Sequence, residues 1–253
     1  MTVGDYVQAL RKWKTEKLPM SELSTRSIAE VFSAFPFLFQ HSSFQSIDAE
    51  DSVNQMCKLL LRSGNDYSPV IDPDNGNLVS ILGYLDIVHL FNQTAKQYPH
   101  IFNVSVKQAM IGTFKNIATA TKHTKLSELL DLMEQRRISA VPILDDNGRV
   151  IGSYHRSDVS FIIKAVDQDI VLANLSNYRA DETLILREQL LSNGDIMSAF
   201  QGLATCKMTD TLALVFSLMM NNRTTRVVVV DENQKCVGVI SIRDLIAHYL
   251  NIR

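Results

Sequence analysis

"GRVIGSYHRSDVSFII" at residues 148–163 and "QKCVGVISIRDLIAHYL" at residues 234–250 share one layout. Each gives a turn, an apolar strand, two or three polar residues, an Asp and then an apolar helix. A third version, "SPVIDPDNGNLVSILGYLDIVHLF", occupies residues 68–91. In all three, a β-branched run ends in an Asp: Asp72, Asp145 or Asp231. A turn of Asp, Asn, Gly or Pro character then reverses the chain. A second apolar run leads to Asp86, Asp158 or Asp244, spaced 72 and 86 residues apart. That period marks repeated small α/β units rather than a short solenoid repeat.

An amphipathic helix precedes each hairpin. Val53, Met56, Cys57 and Leu60 recur at i, i+3, i+4 and i+7, as do Leu126, Leu129, Leu130 and Met133, and Leu212, Val215, Phe216 and Met219. Short strand-like runs, "NIATA" (116–120) and "LATCK" (203–207), stand before the second and third of these helices. The unit is therefore strand, helix, strand, turn, strand, helix. The opening "MTVGDYVQAL" has the form of a unit's end, with Asp5 lying 81 residues before Asp86. The division that follows is a remnant of a first copy plus a linker helix (1–45), a second copy (46–104), a third (105–165), a connection (166–202) and a fourth (203–253). The helical segment "SELSTRSIAEVFSAF" falls in the bridge after the remnant. The connection is longer than its earlier counterpart, polar and irregular.

The chain of 253 residues is 46% hydrophobic and 21% charged, a globular composition. Its net charge of −2 supplies no basic field for nucleic acid. No apolar run approaches the ~18 residues a spanning helix needs. Cys57, Cys206 and Cys236 lie far apart without a CxxC pair, which predicts reduced thiols in a cytoplasmic or nuclear protein. No GxGxxG, P-loop lysine or HExxH spacing occurs, and the six histidines include no paired-ligand spacing. No catalytic set and no metal site is predicted. His155 has two readings, a polar strand-end residue or a ligand contact.

The repeated Asp also has two readings. It caps a helix N-terminus, or it accepts the hydroxyls of a ribose while the helix end attracts phosphate. The hairpin, polar pair, Asp and helix resemble the CBS domain, whose copies pair into Bateman modules. "IGTFKNIATA", "RRISAVPILDDNGRVIGSYHRSDV" and "TRVVVVDENQKCVGVISIRDLI" are similar to the gamma regulatory subunits of AMP-activated protein kinase; "SPVIDPDNGN" and "FQGLATCKMTDTL" agree. The resemblance implies an α/β fold of tandem CBS repeats and a non-catalytic subunit. It implies that AMP, ADP or ATP binds between copies, and that kinase alpha and beta subunits are the partners. Carried over by position, Thr113, Asn116, Ala118, Ser139, Arg226, Ser241 and Asp244 form the cleft of the last two copies, and Asp158 is the ribose-type acid of the third.

Departures from that family are concentrated in the second copy. Asp66 and Tyr67 replace a His-Arg pair, Leu85 replaces a Lys, and Asp86 replaces an Arg. Thr225 stands for a His, Arg243 for a Ser, and Ile196 for an Arg of the connection. Arg243 is expected either to make up for lost phosphate contacts or to clash with them, and Asp66 is expected to repel phosphate. One or two sites at most are expected to remain, with Asp244 foremost. The competing reading is a degenerate gamma-like scaffold that binds protein partners and senses no nucleotide.

Overall fold

The computed structural model describes Ser27, Glu30 and residues 45–158, 177–192 and 203–250. Asp5, nearly all of the first-copy remnant and linker helix, the helix expected after Asp158, and Ile196 lie outside the described residues.

In the second copy, β1 (Ile47–Asp48) leads to α1 (Val53–Ser63), β2 (Tyr67–Ile71), β3 (Leu78–Gly83) and α2 (Tyr84–Gln97). Two short helices follow, α3 (Pro99–Phe102) and α4 (Val106–Ala109). The third copy contains β4 (Ala120–Thr121), α5 (Leu126–Arg136), β5 (Ala140–Leu144), β6 (Val150–His155) and a 3-10 turn at Arg156–Asp158. Helix α6 (Ala180–Ser192) precedes the fourth copy, which comprises β7 (Thr205–Cys206), α7 (Leu212–Asn221), β8 (Arg226–Val230), β9 (Cys236–Ser241) and α8 (Ile242–Tyr249). Each copy is thus strand, helix, strand, strand, with a closing helix in the second and fourth. The strand β1 had no clear signal in sequence, because its ladder is only two residues long.

The three sheets have one topology. The first strand is parallel to the second, and the second is antiparallel to the third. Registers coincide: Tyr67 faces Gly83, Ala140 faces His155 and Arg226 faces Ser241. Each hairpin bulges at the same place, Val70/Ile71, Ile143/Leu144 and Val229/Val230. The turn Asp closes the hairpin loop in the third and fourth copies. Asp145 Oδ1 accepts from Asn147 and Arg149 N–H at 2.8 Å, and Asp231 Oδ1 accepts from Asn233 and Lys235 N–H at 2.8 Å. A side-chain oxygen thereby satisfies backbone donors that the ladder leaves over.

Described residues fall into two compact units, each with its own core. One holds residues 45–117 with 203–250, so the second and fourth copies share a core. Residues 105–117, grouped with the third copy by sequence, pack on the fourth. Val106 N–H donates to Asp210 O at 2.8 Å, and Leu212 N–H to Val104 O at 3.0 Å. Helix α2 lies against α7: the Phe91 and Phe216 rings stack at 5.2 Å, and Ser217 Oγ donates to Asn92 Oδ1 at 3.1 Å. Phe102 and Tyr249 rings close the cluster at 4.9 Å. Each such side chain stabilises the core by roughly 1.5–3 kcal/mol through burial. The predicted apolar stripes are buried except Val53, which is half exposed.

The other unit holds residues 118–158 and 177–192. Its core is Leu126, Leu129, Met133, Val141, Ile143 and Tyr154, with Leu184 of α6 against it. The connection read as irregular therefore contains a helix. Its buried residues, Ala180, Thr183, Leu184 and Arg187, mix polar with apolar, so no clean amphipathic stripe announced it. Backbone bonds from Leu126 N–H to Tyr178 O and from Ala180 N–H to Thr124 O, 2.8 and 2.9 Å, fix its entry.

Candidate functional site

The repeated Asp does the same local task three times. Gly83 N–H donates to Asp86 Oδ2 at 2.8 Å, His155 N–H to Asp158 Oδ2 at 2.8 Å, and Ser241 N–H to Asp244 Oδ2 at 2.9 Å. The donor is the residue that ends the third strand, three positions before the acid. Both capping and negative charge at a helix start favour that arrangement. What surrounds the acid then differs among copies.

In the fourth copy the cap is reciprocal. Ser241 Oγ donates to Asp244 Oδ2 at 2.6 Å and accepts from Asp244 N–H at 3.3 Å. Arg226, the cross-strand neighbour of Ser241, reaches Thr225 Oγ1 at 3.0 Å. Burial pulls Arg226 below the usual guanidinium value; the Asp66 carboxylate opposes that shift, Arg243 adds to it, and Asp244 opposes it. A guanidinium stays charged through the physiological range regardless. Asp66 of the second copy thus sits in the field of the one cation expected to meet phosphate.

Thr113 is brought to the same copy by an antiparallel bridge. Thr113 N–H donates to Val239 O at 2.8 Å and Val239 N–H to Thr113 O at 2.9 Å. Gly112 makes that approach possible: its φ is +121°, and a Cβ there would lie 2.6 Å from Val239 O. Asn116 follows in the left-handed region, φ 51°, which Asn tolerates. Thr113, Asn116, Arg226, Ser241 and Asp244 therefore belong to one unit. Ala118, half-buried, and Ser139, half-buried at the turn before β5, belong to the other.

Arg243 has partners within the protein that neither expectation named. Its Nη1 donates to Tyr84 Oη at 2.7 Å and its Nη2 to Leu61 O at 2.7 Å, with Leu60 O at 3.4 Å from Nη1. Leu60 and Leu61 carry carbonyls of the last turn of α1, which lack helical partners. The guanidinium is a C-terminal cap between copies, and it also lies in the field of Arg226.

In the third copy, Asp158 is 2% exposed and pairs with Arg187 Nη1 at 2.9 Å. The same Nη1 donates to Ser153 O at 3.0 Å. Burial pushes Asp158 up to about 6 despite Arg187, which pulls the other way. Asp158 Oδ1, Arg187 Nε and Tyr154 Oη are buried without a hydrogen-bond partner among the described residues. The acid predicted for ribose is already engaged by its own chain. Arg187 was not singled out in sequence; a lone cation inside "TLILREQLL" was the available signal. His155 is buried at the end of β6.

Among the described residues, no group of three His, Cys, Asp or Glu could hold a metal, and no helix is long and apolar enough to cross a membrane. Cys57 and Cys206 are buried thiols, pushed up by burial to about 11 and about 12.

Residues 108–165 and 194–251 match the CBS domain. Over 250 residues, 97% of this chain and 47% of the relative, the chain is 26% identical to the gamma-3 subunit of 5'-AMP-activated protein kinase from Bos taurus. This is a divergent gamma-like CBS-domain protein. The gamma-like chain is also 26% identical over 97% of its length to the human gamma-3 subunit, covering 48% of it. To the Dictyostelium discoideum gamma subunit it is 28% identical over 83%, covering 35% of that protein. It thus spans half or less of the length of these relatives. The fold matches a solved structure, protein MJ1225 of Methanocaldococcus jannaschii, described there as a candidate archaeal homolog of g-AMPK. That match has a TM-score of 0.64 and 17% identity, and covers 98% of this chain and 82% of that one.

Proposed function

We propose that the gamma-like chain is a non-catalytic regulatory subunit that binds one adenine nucleotide, AMP, ADP or ATP, at the fourth copy, and passes the signal to kinase alpha and beta subunits. The observation that carries this reading is the cluster at the end of β9. Asp244 starts a helix, Arg226 lies across the strand from its cap, and Thr113 bridges the same strand two residues before. Asp244 Oδ1 makes no hydrogen bond among the described residues and is offered to a ribose hydroxyl. Arg226 supplies charge for phosphate, and the positive dipole end at the start of α8 favours an anion. Thr113, Asn116 and Ser241 orient the ligand. The similarity to kinase gamma subunits supports nucleotide as the ligand and a kinase as the partner. Regulation needs only that the nucleotide prefer one arrangement of the assembly over another.

The scaffold reading is favoured by a separate observation, the charge of Asp66 beside Arg226. Thermal unfolding with AMP, ADP or ATP separates the two. A ligand at 100 times its dissociation constant stabilises the fold by ~2.7 kcal/mol. A shift in the parent that is lost in Asp244→Asn supports the sensor. No shift at millimolar nucleotide rejects it and leaves the scaffold.

A further inference from the structure

The first turn of α8 carries two charged side chains with different tasks. Asp244 caps the turn with Ser241 at the candidate site. Arg243, the residue before it, reaches out of the fourth copy into the second, within the unit whose core the two copies share. Its Nη2 donates to Leu61 O at 2.7 Å and its Nη1 to Tyr84 Oη at 2.7 Å, and Tyr84 Oη in turn donates to Leu60 O at 3.0 Å. Tyr84 is 3% exposed and opens α2, and its N–H donates to Asp66 O at 3.3 Å. One guanidinium from α8 therefore joins the last turn of α1 to the first turn of α2. The residue before the repeated Asp is Leu85 in the second copy and Ser157 in the third, and neither has the reach or the charge for such a link. The last turn of a helix is where its ladder opens most easily. Opening that turn of α1 means parting Leu60 O and Leu61 O from Tyr84 and Arg243.

We propose that Arg243 and Tyr84 couple the ligand end of α8 to the second copy, so that a nucleotide held at Asp244 also holds the last turn of α1 closed. This regulation rests on the nucleotide reading above, which supplies the ligand. A ribose on Asp244 and a phosphate at Arg226 fix the first turn of α8, and with it the backbone that carries Arg243. The guanidinium then leaves Leu61 O less readily, and the end of α1 opens less often. The converse follows by linkage: a chain with that turn open binds nucleotide more weakly. Because the open form is a minor one, the affinity of the whole population is nearly that of the closed form. Arg243 and Tyr84 are thus positioning residues. What they control is the response of the second copy, not the strength of binding.

Amide exchange of the full chain with and without saturating AMP tests it. AMP is expected to slow exchange of the Arg62 and Ser63 N–H groups, in the last turn of α1, at least about fivefold. Lys96 and Gln97, in the last turn of α2, are expected to be unchanged. Tyr84→Phe removes one hydroxyl and Arg243→Met one charge; both variants are expected to bind AMP without that slowing. A merely structural role for either residue would change exchange equally with and without AMP. Slow exchange at Val239 shows that a variant is folded, and Arg243→Met decides if Tyr84→Phe is not. The link is overturned if AMP binds the parent without slowing Arg62 and Ser63, or slows them as much in a folded variant. A ligand-free arm keeps the two readings apart. Ser241→Ala opens the cap of α8, and is expected to speed exchange at Arg62 and Ser63 in the parent background but not beside Tyr84→Phe. If no AMP binds, the nucleotide reading fails and this arm alone decides the link, which stands with that difference and is overturned without it.

Discussion

Arg187 holds Asp158 at 2.9 Å, both side chains out of water and joined across the third copy from α6 to the end of β6. Removing one partner strands the other charge. Arg187→Leu is expected to destabilise the fold by ~3–5 kcal/mol, whereas Asp158→Leu combined with Arg187→Met recovers most of that loss. Urea unfolding of the single and double variants measures both.

The same pair sets a pH dependence. Asp158 is raised to about 6 in the fold, against about 3.9 in an unfolded chain. A raised acid favours the folded state when protonated. Its contribution is therefore fully present below about pH 4 and lost as pH rises through about 6. Relative to Asp158→Asn, the parent is expected to gain up to about 3 kcal/mol between pH 7 and pH 4. Paired unfolding curves across that window give the difference directly.

Arg243 ties two copies together through Tyr84 and the last turn of α1. Losing charged hydrogen bonds to half-buried groups costs ~1.5–3 kcal/mol. Arg243→Met is expected to lose that much stability and, because its hydrogen bonds go to carbonyls and Tyr84, to change nucleotide affinity far less than Arg226→Gln does. Denaturant midpoint and nucleotide titration of the same variant check the two halves.

Gly112 lets residues 111–114 lie on β9. A side chain there meets Val239 O and a φ that L residues avoid. Gly112→Ala is expected to cost ~1–3 kcal/mol and to speed amide exchange at Thr113, and so to weaken nucleotide binding through position rather than contact. A variant that exchanges normally at Thr113 would contradict this.

The repeat was legible because it is local. Hairpin turns, the apolar stripes of α1, α5 and α7, and the Asp before each closing helix all follow from spacing and turn chemistry. Two things were not legible. One is long-range: which copies share a core depends on the packing of Phe91, Phe102, Phe216 and Tyr249, and no periodicity encodes that. The other is competition inside the chain. Asp158, Asp244 and Arg243 were all read toward ligands. Only the fold shows that Asp158 is taken by Arg187, that Arg243 caps α1, and that Asp244 gives one oxygen to Ser241 and keeps the other. Helix α6 hid for a related reason, since its buried face carries Thr183 and Arg187 among apolar residues.

Equilibrium dialysis with labelled AMP tests the central claim most directly, by counting sites. One AMP per chain is expected, lost in Arg226→Gln and in Asp244→Asn and retained in Asp158→Asn. Binding that survives Arg226→Gln, a second site abolished by Asp158→Asn, or no binding to the folded parent at millimolar AMP would contradict it.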